Sequence, residues 1–277
     1  MKSKPLLKPR KPKLSKKTKP PKPEPGTSSR NTGERLNRYL AKTGLCSRRE
    51  ADRWIAAGRI RINGETVQDM GRRVKSGDTV LADGKAVEPV SEYTYILYHK
   101  PRGLLCSRRD DRGRPLIYSE LDVAANVQSI GRLDMDSEGL LLLTDDGDLA
   151  RTLTHPGAKI PRCYRVRITG QLETEELEKL QFGGLDIGRD EKSDAWDVIV
   201  DSETKGHSWI TVTIRRGRWH EVRRTLEACG HTVRRLIRVS FASLQLGDLP
   251  KGATRPLKAG ELRQLKKAGK NYPGTRK

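Results

Sequence analysis

The chain has 277 residues, enough for more than one folded unit, and a formal net charge of +21 from 56 Lys and Arg against 35 Asp and Glu. That excess of cations predicts attraction to phosphate polymers and makes nucleic acid the expected partner. No run approaches the roughly 18 consecutive apolar residues of a membrane span, and the basic start lacks the apolar core of a secretory signal, so a soluble cytoplasmic protein with no membrane partner is expected. The four cysteines, Cys46, Cys106, Cys163 and Cys229, form no C-x-x-C pair and read as reduced thiols, not as a zinc module or a disulfide framework.

Residues 1–33 are expected to form a disordered arm. Within 1–30, eleven Lys or Arg and seven Pro stand against one acid, which leaves almost nothing to bury. Such an arm adds salt-sensitive, sequence-blind affinity for RNA or DNA. Order is expected from Glu34. In "RLNRYLAKTG", Leu36, Tyr39 and Leu40 recur at helical spacing and Gly44 ends the run. A second helix begins at Ser47, which forms a capping box with Glu50; Ala51, Trp54 and Ile55 make its buried stripe and Gly58 its C-cap. "RIRINGETV" predicts two short strands joined by a type I′ turn at Asn63-Gly64, positions that accept positive φ. Arg48, Arg49, Arg53, Arg59 and Arg61, followed by Arg72, Arg73 and Lys75, have few balancing acids and predict an RNA-contacting face. This order of elements resembles the S4 RNA-binding domain, assigned with its linker to residues 34–92.

From Tyr93 the texture changes. "YTYILYHKPRG" reads as a strand running into a loop, with Lys100 and Arg102 around a proline. "RCYRVRITG" puts Tyr164, Val166 and Ile168 on one face and Arg165 and Arg167 on the other. "SWITVTI" separates Ile210, Val212 and Ile214 from Trp209, Thr211 and Thr213. "TEELEKLQF" and "RWHEVRRTLEACG" read as helices, the second with Val222, Leu226 and Cys229 as its apolar stripe and His220, Arg223 and Arg224 on a face of their own. Residues 93–268 are therefore expected to form one α+β domain around a mostly antiparallel sheet with flanking helices, and 269–277 a basic tail.

The stretch "SIGRLDMDSEGLLLLTDDG" gathers Asp134, Asp136, Glu138, Asp145 and Asp146 in this basic chain. Read as a calcium loop, the segment from Asp134 has acids at several ligand positions. But "LLLL" fills places that need polar groups, and Gly131 interrupts the helix that should come before. The preferred reading is a loop, then a buried strand "LLLLT", then a "DDGD" turn in which Asp145, Asp146 and Asp148 serve as turn and N-cap residues. No metal is expected. Asp134, beside Arg132 and Gly131, then presents a carboxylate next to a cation where a nucleic-acid strand can approach closely.

"GRLDMDSEGLLLLTDDGDLA" resembles the signature of the RsuA and RluB group of bacterial ribosomal RNA pseudouridine synthases. "YHKPRG", "RCYRV" and "GRWHEVRRTLEACGHTVRRLIRV" are similar to that family's first, tyrosine and arginine-bearing motifs, in the family's order. With the S4-like unit, the resemblance spans residues 34 to about 268. It implies the pseudouridine synthase fold and isomerisation of a uridine in ribosomal RNA, of the large subunit by likeness to the RluB branch. It further implies that Asp134 is the catalytic aspartate, that Tyr164 packs against the target base, that Arg223 pairs with the aspartate, and that Arg132 helps occupy the space vacated by the flipped uridine. In one respect the chain departs from those relatives: Trp219-His220-Glu221 stands where they commonly show Asn-Arg-Gln.

Moving the sugar from N1 to C5 of the same base needs no redox change, hydrolysis or group donor, so no cofactor is implied. The aspartate can attack the sugar carbon, add to the base or remove a sugar proton, and each route needs it ionised. A guanidinium stays charged and offers two donors, which suits Arg223 to stabilising that anion. An aromatic at a sheet's ligand-facing end suits Tyr164 to stacking on a flipped base. Lys100, Arg102, His220 and Arg224 are candidate substrate contacts, with Lys100 and Arg102 holding phosphate or structuring their loop; Asp136 and Glu138 read as loop hydrogen-bonding groups. The expected partner is ribosomal RNA, free or within an assembly intermediate, and the expected state is a monomer. Three other readings remain: a noncatalytic assembly factor on the same scaffold, a synthase for small-subunit RNA, and a metal-dependent nuclease using the acidic loop.

Overall fold

The computed structural model describes residues 33–270. The Lys/Pro-rich arm, apart from Gly33, and residues 271–277 of the expected tail lie outside the described residues.

In the smaller unit β1 (Glu34–Arg35) leads into α1 (Leu36–Lys42), which packs on α2 (Arg48–Ala56). Leu36, Leu40, Ala51 and Ile55, the positions picked out by spacing, are buried together with Ile60, Ile62 and Val80. Tyr39 and Trp54 are only partly buried because their polar atoms need partners near the surface. The Tyr39 hydroxyl donates to the Val87 carbonyl (3.2 Å) and the Trp54 indole to Glu50 (3.2 Å). Ser47 caps α2 by accepting the Glu50 N–H (3.3 Å), but the Glu50 carboxylate turns to Arg53 and Trp54, so only half of the expected capping box forms. β2 (Ile60–Ile62) and β3 (Glu65–Thr66) are joined through Asn63 (φ 51°) and Gly64 (φ 88°), as a type I′ turn requires. β4 (Arg73–Val74) pairs with β1, while β5 (Val80–Ala82) and β6 (Lys85–Ala86) complete a four-stranded sheet in the order β3-β2-β5-β6.

The larger unit is built on one nine-stranded sheet. Its strands are β7 (Tyr95–Lys100), β8 (Gln128–Ile130), β9 (Glu138–Thr144), β10 (Arg162–Thr169), β11 (Asp197–Glu203), β12 (His207–Ile214), β13 (Val233–Phe241), β14 (Leu244–Gln245) and β15 (Thr254–Pro256). They run in the order β11-β12-β10-β13-β9-β7-β15, with β14 beside β13 and β8 beside β9. Every pairing is antiparallel except β13 with β9. Helices α3 (Gly147–Thr154), α4 (Thr174–Phe182), α5 (Glu221–Ala228) and α6 (Ala259–Lys270) flank it.

The leucine run explains itself here. Leu141 and Leu143 join a core with Tyr164, Val166, Ile210, Val222 and Leu226, while Leu140 and Leu142 join another with Leu149, Leu153 and Leu265. A strand covered on both faces carries no polar alternation. α6 runs on to Lys270, two residues into the expected basic tail: Leu265 is buried against the second core, while Lys266 and Lys267 stay on the exposed side.

Two features fix the junction of β9 and β13. Gly139 (φ 112°) lies opposite Arg238, and a Cβ added there falls 2.3 Å from the Arg238 carbonyl oxygen and 2.6 Å from its nitrogen. Just before it, Glu138 is 1% exposed, with Arg235 on one carboxylate oxygen and Lys251 2.9 Å from the other. Burial alone raises the Glu138 pKa, but the bonds from Arg235 and Lys251 outweigh it and hold the group below its ordinary 4.5.

Gly139→Ala is expected to destabilise the fold by about 2–4 kcal/mol, from a backbone clash and a strained φ together; a urea midpoint equal to that of the parent contradicts this close approach. Because the folded pKa of Glu138 is depressed, its stabilisation is complete above the ordinary 4.5 and is lost as pH falls through the folded value. Glu138→Gln should therefore be the less stable protein at neutral pH and lose less on acidification. Unfolding curves that fall in parallel for the two proteins count against this role.

Candidate active site

The loop from Gly131 to Ser137 connects β8 to β9 and carries Asp134. Beneath it Lys100, at the end of β7, is fully buried. Its ammonium donates to the carbonyls of Pro101 (2.9 Å), Asp134 (3.2 Å) and Ser137 (2.9 Å), with that of Met135 at 3.4 Å. Burial pushes its pKa down, against the opposing pull of Cys106 and the loop acids. The geometry therefore corrects one of the two expectations for this residue: Lys100 holds the loop from below and does not reach an RNA phosphate. Arg102 is exposed and does not line the cavity above.

The Asp134 side chain, 34% exposed, faces a cavity also lined by Arg132, Tyr164, His220, Arg223 and Arg238. Tyr164 is buried on β10 and lies opposite Arg238 of β13 in the strand register. The side chain in contact with the carboxylate is His220, whose Nε2 is 3.5 Å from the Asp134 Oδ1.

His220 is held there by an unusual backbone and a stack. It has left-handed dihedrals (φ 50°, ψ 28°) at the N-cap of α5, a conformation few side chains tolerate without support. Its ring lies on Trp219 at 4.1 Å and 8° from parallel, and the Arg189 guanidinium lies 3.7 Å from the centroid of the same indole. The two cannot share one face, so the indole is sandwiched although it is 52% exposed.

Two expectations are corrected in the same place. The helix starts at Glu221, so His220 precedes it and does not share a helical face with Arg223 and Arg224. Arg223 lines the cavity but makes no ion pair with Asp134; its guanidinium donates to the carbonyls of Asp136 (3.2 Å) and Val233 (3.3 Å), bridging the loop to β13. Arg224 turns away altogether. It donates to the carbonyls of Ile187 (2.7 Å) and Gly188 (2.6 Å) and pairs with Glu191 (2.8 Å), fastening the turn that carries Arg189.

Sequence reasoning missed Arg162, Arg238 and Glu221 as cavity residues. Arg162 stands two places before Tyr164, and strand alternation could have found it. Nothing local marks the other two.

A second cleft runs between α2 and the larger unit. Arg48, Arg49 and Arg53 line one wall, Arg108, Arg109 and Arg132 the other, and Glu50 is the sole acid among its lining residues. Gly131 and Arg132 also line the Asp134 cavity, so the two adjoin there. Arg59 and Arg61 lie outside this cleft: Arg59 is paired with Asp83 over the Trp54 ring, and Arg61 is exposed on β2.

The remaining acids are spent on structure. Asp145 accepts the Thr94 N–H (2.7 Å), Asp146 caps α3 through the Leu149 N–H (3.0 Å), and Asp148 pairs with Arg38 of the smaller unit. The extended β9 separates them from Asp134, which is incompatible with a calcium loop. Among the described residues no group of three His, Cys, Asp or Glu side chains converges on a metal position.

A carboxylate, a buried tyrosine and several arginines in a cavity at the centre of such a sheet, next to a basic helical module, define an RNA-modifying class. Residues 94–228 match the RNA pseudouridylate synthase family and residues 34–80 the S4 domain. The chain belongs to the RNA pseudouridylate synthase family and is an isomerase acting on RNA. It is 37% identical over 235 residues to the ribosomal large subunit pseudouridine synthase B of Bacillus subtilis, covering 84% of this chain and 96% of that protein. A protein of the same name from Pseudomonas aeruginosa is 37% identical over 238 residues, 83% of this chain and 61% of that one. A crystal structure of a pseudouridylate synthase superposes with a TM-score of 0.61 at 29% identity, over 84% of this chain and all of the other.

Trp219→Ala should release His220 from Asp134 and lower kcat on RNA by roughly ten- to a hundredfold, whereas Trp219→Phe keeps a stacking ring and most of the rate. Single-turnover rates for the two variants are the measurement; equal rates would mean that the stack does not set the site.

Proposed function

We propose that the protein converts a specific uridine of large-subunit ribosomal RNA to pseudouridine, with Asp134 as the catalytic carboxylate. The observation that carries this is the position of Asp134 in a cavity it lines together with Tyr164, adjoining a cleft walled by arginines. The large subunit is the choice because the relatives from Bacillus subtilis and Pseudomonas aeruginosa carry that designation.

RNA phosphates lie along the cleft of Arg48, Arg49, Arg53, Arg108 and Arg109, a sequence-blind and salt-sensitive hold. The target nucleoside leaves its stack and enters the cavity, where Tyr164 packs on the base and Arg132, at the mouth, takes up the space left behind. The ionised Asp134 starts the isomerisation by attack at C1′, by addition to the base, or by removing a sugar proton. Arg132 and Arg223 around the same cavity give that charge a cationic setting on any of the three routes, and His220 Nε2 stands 3.5 Å from the carboxylate as a polar contact. The loop that carries it is fixed from beneath by Lys100, so the carboxylate is presented without reorganisation.

Asp134→Asn tests the reading. The variant should bind ribosomal RNA as the parent does and isomerise uridine more than about a hundredfold more slowly. Mapping pseudouridines in ribosomal RNA from cells that lack the protein, with either version restored, reads both the reaction and its position. An asparagine variant that restores the modification at the parent rate removes the proposal.

A further inference from the structure

Arg238 is 1% exposed and is the largest fully buried side chain among the described residues, yet it forms no ion pair with a described carboxylate. Its Nε donates to the Leu140 carbonyl (2.7 Å), and its buried Nη2 has no protein acceptor. Glu138, on the strand alongside, is engaged by Arg235 and Lys251. A buried guanidinium without a counter-charge is strongly unfavourable unless a ligand supplies one.

A second cation stands beside it. Arg162 lines the same cavity with one protein hydrogen bond, to the Ile160 carbonyl (3.0 Å), and both guanidiniums lie over the Phe241 ring, at 5.6 Å and 5.3 Å. Burial and the charge of Arg238 both push the pKa of Arg162 down. Neither of the two acids that line the cavity with them compensates: Asp134 has its contact with His220 and forms no ion pair with either arginine. Glu221 is itself buried, one of its oxygens accepts the Arg218 N–H (2.9 Å), and burial pushes its pKa up, towards the neutral form. Two like charges thus line one cavity, and neither forms an ion pair with a described carboxylate.

We infer that Arg238, with Arg162 beside it, is a further catalytic residue, donating to a carbonyl oxygen of the flipped uracil and stabilising the negative charge that the base acquires when its C1′–N1 bond breaks. The inference rests on the synthase reading of Asp134. Arg238 lies opposite Tyr164 in the strand register and lines the cavity that both share with Asp134, so its partner is the base and not the phosphates along the exposed cleft. When C1′–N1 breaks, the bonding pair stays on N1 and is delocalised onto O2 and O4 of the ring. The ring then turns, C5 bonds to C1′, the proton on C5 leaves and N1 takes one up, so atoms and charge balance. A preorganised pair of donors, one buried and one half-buried, is worth most at the stage when that charge is largest, and it keeps the detached ring from leaving.

The test couples protein and substrate changes. Arg238→Lys keeps the charge and loses the planar fork, and should lower the single-turnover rate about a hundredfold, with RNA affinity unchanged. RNA in which the target is 2-thiouridine or 4-thiouridine weakens one carbonyl acceptor at a time. One of the two should slow the parent about tenfold and add nothing to the loss in Arg238→Lys. Arg162→Lys, which leaves the Leu140 bond in place, should show the same non-additivity with a smaller loss and carries the test if Arg238→Lys does not fold. A parent-like rate, losses that simply multiply for both thio substrates, or a defect that follows methylphosphonate substitution at the target phosphate overturns the inference. If Asp134→Asn is inactive in the same assay, such a result counts against Arg238 alone; if Asp134→Asn is active, the synthase reading itself has failed.

Discussion

The Lys100 ammonium lies beneath the Asp134 loop and satisfies carbonyls that would otherwise be buried without donors. A loop that turns between two strands over a closed core directs some of its peptide groups inward, and each inward carbonyl needs a partner. One cation with three donors meets several at once, and Ser137 N–H closes the turn on the Asp134 carbonyl at 3.0 Å. The backbone of Asp134 is thereby fixed while its side chain is left to the cavity. His220, Arg223 and the Gly139 contact all act on a loop that is already held.

The net charge of +21 hides two populations of cations. Arg48, Arg49, Arg53, Arg108 and Arg109 are exposed along a cleft, where salt screens them and a polyanion can slide. Lys100 and Arg238 are buried, where charge interacts strongly and each bond is directional. The first group suits attraction without choice of sequence. The second suits fixed geometry around one nucleoside. Arg132 lines both the cleft and the cavity.

Much of this was legible in the sequence because it is local. Leu36, Leu40, Ala51 and Ile55 follow helical spacing, Asn63-Gly64 specifies its own turn, and Tyr164, Val166 and Ile168 share a strand face. The grouping of Asp134, Tyr164 and Arg223 follows from the likeness of the quoted motifs to the family, and all three line one cavity. What local pattern cannot carry is the choice of partner across the fold. Arg224 meets Glu191, Lys100 meets the Ser137 carbonyl and Arg235 meets Glu138, pairs set by the order of strands. Arg223 was expected on the aspartate because its charge fits; the backbone carbonyls of Asp136 and Val233 stand within its reach. α6 was overlooked because its lysines dominate the composition, while the one fully buried leucine, Leu265, decides its docking.

The parallel pairing of β13 with β9 has a consequence for how the chain is made. Asp134 lies on the loop between β8 and β9, within the sheet half formed by β7, β8 and β9, whereas Tyr164 belongs to the half formed by β10, β11 and β12. These halves share no hydrogen-bonded edge until β13 is laid between them. A growing polypeptide thus carries both residues long before it owns a pocket, and two open sheet margins wait for one late, sequence-distant segment to close them.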